Sequence, residues 1–136
     1  MREPIEEAGR WFTQAKQDLS DARYLLEGER FNLVCFVCQQ AAEKALKAYL
    51  ITQGQELIFT HSVDELCLAA GEFDSHFHSL RKEISILDGY YVPTRYPNAL
   101  PGGVPAYVYN LTAAQQALAL AEKTMAVVGE RIGLGK

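Results

Sequence analysis

Ile5, Ala8, Phe12, Ala15, Leu19, Ala22 and Leu26 recur at alternating steps of three and four. That spacing runs along one stripe of an α-helix and would scatter over both faces of a strand, so it predicts a helix from about Glu3 to Glu27 that packs along one side. Gly28 closes it, and a second helix follows from about Arg30 to Gln53, with Gly54 as its stop. The apolar residues of this second helix fall in two rows. Cys35, Cys38, Ala42, Ala45 and Tyr49 form one, and Val34, Val37, Ala41 and Ala48 form its neighbour. A helix apolar on two sides is central, and part of that surface is expected to face another subunit in a homodimer or higher homo-oligomer.

Further along, Ser62 and Glu65 have the spacing of a capping box, which predicts a short third helix interrupted at Gly71. A fourth helical stretch from about Asp74 to Asp88 carries Phe77, Leu80, Ile84 and Leu87 at helical spacing. Thr112 is placed to cap a last helix in which Leu118, Ala121, Met125, Val128 and Ile132 again step by three and four, and the tail from Gly133 is expected to fray. Almost nothing alternates with period two, and no internal repeat or low-complexity linker appears. The fold class that follows is all-α: an antiparallel up-and-down bundle of four to five helices with a long Pro/Tyr-rich loop before the last one. Its 136 residues suit one domain over residues 1–136.

Composition narrows the function classes. No run of about 18 uncharged apolar residues is available to span a membrane, and the polar, acidic N-terminus does not read as a secretory signal. A cytoplasmic location is the expectation, and three cysteines, an odd count, argue against a disulfide framework. The net charge of −4 removes the broad attraction used by non-specific nucleic-acid binders, so any such role needs a local basic site or oligomerisation.

The irregular segment is "YYVPTRYPNALPGGVPAYVY" at 90–109, with a proline every four residues at Pro93, Pro97, Pro101 and Pro105. Proline lacks the amide hydrogen and its ring clashes with the preceding turn, so this stretch cannot be helical beyond one turn. Five of the seven tyrosines (Tyr90, Tyr91, Tyr96, Tyr107, Tyr109) surround one arginine, Arg95. Prolines stiffen such a loop, tyrosines offer faces for base stacking, and Arg95 offers a fork for phosphate. Alternatively, Tyr90 and Tyr91 cap the core and Arg95 pairs with an acid such as Asp88 or Glu43.

The second helix also carries Gln40, Glu43, Lys44 and Lys47 three or four apart, hence on one face. They read either as a solvated stripe with a Glu43–Lys47 pair or as a polar groove in which Lys44 and Lys47 meet phosphate or a partner. Cys35 and Cys38 have C-x-x-C spacing but sit inside one helix without a second pair, which favours core packing over zinc. His61 precedes the Ser62 cap, where a neutral imidazole can serve as a base, or is simply a surface residue. His76 and His78 have no companion at ligand spacing, and no Gly-rich phosphate loop follows a strand, so neither metal nor cofactor is expected.

Three segments together, "CFVCQQAAEKALKAYL" at 35–50, "FTHSVDEL" at 59–66 and "YVPTRYPNA" at 91–99, resemble the HEPN family of small helical domains, and Trp11, Ala15, Asp18, Leu19 and Ala22 of the first helix fit it too. The resemblance covers nearly the entire chain, with "QQAAEKALKA" and "PTRYP" its more specific parts. It implies a dimeric helical bundle, often encoded beside a minimal nucleotidyltransferase as a toxin–antitoxin pair, or described as that enzyme's nucleotide- or substrate-binding subunit.

Active members of the family are metal-independent ribonucleases with an arginine, a polar neighbour and a histidine four to six positions on. Arg95 matches the arginine, but Tyr96 is not the usual small polar residue, and Ala99, Leu100, Pro101 and Gly102 offer no histidine. RNA cleavage by acid–base chemistry needs a group that exchanges protons near neutral pH, which tyrosine and arginine do poorly. The function expected is therefore nucleotide or RNA binding beside a nucleotidyltransferase, with Arg95, Tyr91, Tyr96, Lys44, Lys47 and Glu43 at the phosphate site. The alternatives are a ribonuclease toxin using Arg95 with His61 or Tyr96, and a non-catalytic oligomeric adaptor.

Overall fold

In the computed structural model, which describes residues 3–56 and 59–133, every regular element is helical. Two long helices, α1 (Pro4–Glu27) and α2 (Phe31–Thr52), form a hairpin. Two short ones, α3 (Val63–Ala70) and α4 (His76–Ile84), lead into a 3₁₀ segment, Ser85–Tyr90. After the proline loop come a single turn, α5 (Pro105–Val108), and the long α6 (Leu111–Arg131). Apart from that one turn, the described residues form five α-helices, within the four to five expected.

The α2 helix is the axis of the bundle. It packs on α1, α3, α6 and the 3₁₀ segment, and both of its apolar rows are covered: Val34, Cys35, Cys38, Ala41, Ala42, Ala45 and Ala48 are fully buried. Its two-sidedness is thus largely satisfied within the chain. Alanines along α2 and at Ala15, Ala22, Ala114, Ala117 and Ala121 let the helices approach closely, while Phe77, Leu46, Leu66, Leu80, Ile84 and Leu87 fill the space between.

Helix ends follow local chemistry, with several shifts from the expected residues. Asn110, not Thr112, caps α6, its side-chain oxygen accepting from Ala113 N at 2.9 Å, so the helix starts earlier than expected. The α4 helix begins at His76, whose amide donates to Asp74 Oδ1 at 2.9 Å. The capping box at α3 is indirect. Ser62 Oγ accepts from Glu65 N at 3.1 Å, but the glutamate accepts from Thr60 Oγ1 at 2.6 Å, and that same hydroxyl oxygen accepts the Ser62 amide. Asp88 completes the end of α3, accepting from Ser62 Oγ (2.7 Å), Val63 N (2.6 Å) and Asp64 N (3.1 Å), where a negative charge also meets the positive end of the helix dipole. The expected fraying after Gly133 concerns residues 134–136, which lie outside the described residues.

The proline loop keeps to single turns. Pro97 opens a 3₁₀ turn (Pro97–Ala99) and Pro105 opens α5, each at a first position where its missing amide hydrogen costs nothing.

Candidate functional site

Thr94 fixes the loop. Fully buried, it donates from Oγ1 to Tyr90 O at 2.5 Å, and its own carbonyl accepts from Asn32 Nδ2 of α2 at 3.0 Å. The next residue, Arg95, is thereby held against α2. Its Nε donates to Tyr91 O at 2.9 Å and Nη2 donates to the same oxygen. Its guanidinium carbon stands 4.2 Å from the centre of the Phe36 ring, 5.0 Å from Tyr91 and 5.2 Å from Tyr96. Three aromatic faces thus surround a cation, an arrangement that attracts it electrostatically and limits its motion. Among the described residues no carboxylate pairs with Arg95, and Nη1 has no hydrogen-bond partner. The two acids expected as alternatives are engaged elsewhere: Asp88 caps α3 and Glu43 meets Lys47.

The tyrosines of the loop divide into three groups. Tyr90 and Tyr109 meet edge to face at 5.9 Å against the core, where burial pushes both phenols up from their ordinary pKa. Tyr91 and Tyr96 face Arg95. Tyr107 is 89% exposed, and no other large hydrophobic or aromatic residue of the loop is so open.

His61, from the segment between α2 and α3, joins this cluster. Its ring stacks on Tyr91, centroids 4.6 Å and planes 17° apart, so Tyr91 touches His61 and Arg95 at once. On the α2 side, His61 Nδ1 lies 3.3 Å from both carboxylate oxygens of Glu43. That carboxylate is buried and already accepts from Lys47 Nζ at 3.0 Å and Gln39 Nε2 at 3.2 Å; Gln39 Nε2 also donates to His61 O at 2.7 Å. A histidine whose one nitrogen faces a buried carboxylate has its other nitrogen, Nε2, directed away from it. With 61% of its side chain exposed, the imidazole is open to a ligand.

The polar stripe on α2 therefore splits. Lys47 is only 6% exposed, its ammonium committed to Glu43 and standing 5.6 Å from the Trp11 ring, so it reaches the cluster only through that carboxylate. Lys44 points the other way. It pairs with Asp18 at 2.6 Å and lines an open groove of about 780 Å³ along α1 with Trp11 and Gln14. Cys35 and Cys38 are free and buried, as core residues are. Phe36 and Gln39 were not singled out from sequence, although Phe36, Gln40, Glu43 and Lys47 step by four, three and four.

No helix among the described residues is long and apolar enough to cross a membrane. The HEPN domain model matches residues 8–132. TT1696 from Thermus thermophilus is similar in structure at 38% identity, with a TM-score of 0.86 over 91% of this chain and 97% of that one. ST0689, an archaeal HEPN homologue, is 32% identical, with a TM-score of 0.76 over 97% of this chain and 99% of its own. No curated protein matches the chain. A family match spanning nearly the whole bundle, together with close structural relatives above 30% identity, establishes that the chain belongs to the HEPN domain family.

Proposed function

We propose that this protein, acting as one domain over residues 1–136 in the cytoplasm, binds a nucleotide or RNA phosphate at the Arg95 loop and works as a homodimer beside a nucleotidyltransferase protein, as one half of a toxin–antitoxin or substrate-binding pair. The observation that carries the reading is the state of Arg95: boxed by Phe36, Tyr91 and Tyr96 and free of any carboxylate among the described residues. A guanidinium held rigidly loses little entropy on meeting a phosphate, and Nη1, without a hydrogen-bond partner among the described residues, supplies the donor. Tyr96, half exposed, supplies a stacking face for a base. Titration of the purified protein with nucleoside mono- and triphosphates and with a short single-stranded RNA tests it. Binding that Arg95→Ala abolishes supports the reading, and the absence of any shift in melting temperature at millimolar ligand overturns it.

A second reading, a metal-independent ribonuclease, is favoured by the Glu43–His61 contact. In this reading, with Nδ1 turned to the carboxylate, Nε2 takes the proton of a ribose 2′-hydroxyl while that oxygen attacks the adjacent phosphorus. The 5′-oxygen leaves with a proton returned by the imidazolium, and Arg95 steadies the phosphoryl oxygens. The histidine comes from residue 61 rather than from the positions after Arg95. RNA cleavage without added metal, lost in His61→Ala and in Arg95→Ala, identifies this activity; intact RNA after prolonged incubation with stoichiometric protein rejects it.

A further inference from the structure

Where α3 and α4 meet, a cavity of about 330 Å³ is lined by Asp64, His78, Arg81, Lys82 and Ser85. His78, Arg81, Lys82 and Ser85 sit at steps of three, one and three, so they share one face of α4 and the turn that follows it. The one acid of the group is already engaged. Arg81 holds Asp64 through Nε (2.7 Å) and Nη2 (3.0 Å), and Ser85 Oγ lies 2.6 Å from the same carboxylate. These partners keep the Asp64 carboxyl well below its usual range, at about 2, so it stays charged and stays paired. Lys82 has no partner among the described residues, and Arg81 Nη1 is also without one.

His78 is positioned by a glycine. Its ring lies over Gly71, at the end of α3, so closely that a Cβ there would stand 2.2 Å from Cε1. Any larger residue at 71 would swing the imidazole away, although the backbone of Gly71, at φ −62°, suits alanine. Arg81 and His78 are thus both fixed by their neighbours, Arg81 by Asp64 and His78 by Gly71.

We propose that the α4 face built from His78, Arg81, Lys82 and Ser85 is a separate binding site for a phosphate monoester, distinct from the Arg95 loop. Lys82 and Arg81 against Asp64 leave one net positive charge. The carbonyl end of α4 opposes an anion with only about half a charge, so the balance favours one. The volume suits a phosphoryl group and a small substituent, at the low end of small-molecule pockets.

Amide shifts in two-dimensional NMR spectra of the whole chain, titrated with inorganic phosphate against chloride at equal ionic strength, test the site. Shifts at His78, Lys82 and Ser85 are expected, weakened about tenfold or more in Lys82→Ala and in Gly71→Ala, since each charge-assisted contact is worth a factor of that order. Arg95→Ala should leave them unchanged, which separates this site from the loop. A nucleoside monophosphate that binds more tightly than inorganic phosphate supports a monoester as the ligand; one that binds no more tightly overturns that assignment. Shifts that are absent, that chloride reproduces, or that Lys82→Ala leaves intact overturn the proposal. Lys82 is exposed, so that variant keeps the fold whatever Gly71→Ala does.

Discussion

His61 lies flat on Tyr91, ring centroids 4.6 Å apart, while the backbone carbonyl of the same tyrosine takes the guanidinium of Arg95. One residue therefore joins the two groups best suited to act on a phosphate. Its ring touches both His61 and Arg95, and its carbonyl adds a hydrogen bond to Arg95 that side-chain changes at 91 leave in place.

Tyr91→Ala should release His61 and remove one aromatic wall beside Arg95 but keep the carbonyl that holds the guanidinium, and Tyr91→Phe should retain all three. A stacked aromatic pair is worth about 1 kcal/mol, so the alanine variant should bind RNA or nucleotide about fivefold more weakly while the phenylalanine variant binds as the parent does. The His61 ring protons report the same event in NMR, moving from ring-current-shifted positions toward free-histidine values in Tyr91→Ala only. Unmoved ring protons in that variant would contradict the stacked geometry.

Glu43 and Lys47 form an ion pair whose members are 4% and 6% exposed. Breaking such a pair leaves a desolvated charge, so Lys47→Met is expected to cost about 3 kcal/mol. The double change Glu43→Gln with Lys47→Met removes both charges and should cost clearly less than the single one. Urea unfolding of the parent and both variants checks this. If the double variant is the least stable, the pair is a net stabiliser rather than a placement device for His61.

Much of this could be read from the chain alone. The step-of-three-and-four pattern set the extents of α1 and α2 to within about a residue, because a stripe facing the core has no other regular solution. The prolines located the loop, since each removes a hydrogen bond wherever it falls. What could not be read was the company each polar side chain keeps. Glu43 and His61 are 18 residues apart, and Asn32 and Thr94 are 62 apart, so their meeting depends on how α2 sits against the loop. The same holds for Asp88, whose capping of α3 crosses 26 residues to Ser62. Local capping was only partly legible, because neighbouring residues compete for one helix start, and at α6 Asn110 won over Thr112.

The three cysteines predict an alkaline weakness. Burial pushes the Cys35 thiol up to about 11 and those of Cys38 and Cys67 up to about 12. In the unfolded chain a thiol ionises near 8.5. A group whose pKa is raised by folding contributes stability that is complete below the unfolded value and is lost as pH climbs toward the folded one. Melting temperature should therefore fall from about pH 9 upward, and a triple Cys→Ser or Cys→Ala variant should fall less steeply. Native protein at pH 8 should also resist a thiol reagent that labels all three cysteines in denaturant.

The ends of α1 and α2 are built alike, and one of them carries a strain the other avoids. After α2, Gly54 N donates to Ile51 O (3.0 Å) and Gln55 N to Leu50 O (3.1 Å), with Gly54 in the left-handed region at φ 82°. After α1, Glu29 N donates to Leu26 O (3.1 Å) and Arg30 N to Leu25 O (3.0 Å), the same pair of bonds, but the left-handed residue is Glu29 at φ 59°. Gly28 does close α1, as expected from sequence, but keeps an ordinary φ of −82°, and the left-handed residue follows it. A side chain in that region costs about 1–2 kcal/mol, of which the greater freedom of glycine in the unfolded chain returns part. Glu29→Gly should thus stabilise the protein by about 0.5–1 kcal/mol, raising its melting temperature by about 3 °C. Gly54→Ala, made as the mirror control, should lower stability by a similar amount. A Glu29→Gly variant that melts at or below the parent temperature would show that the exposed glutamate does more at that turn than endure its backbone.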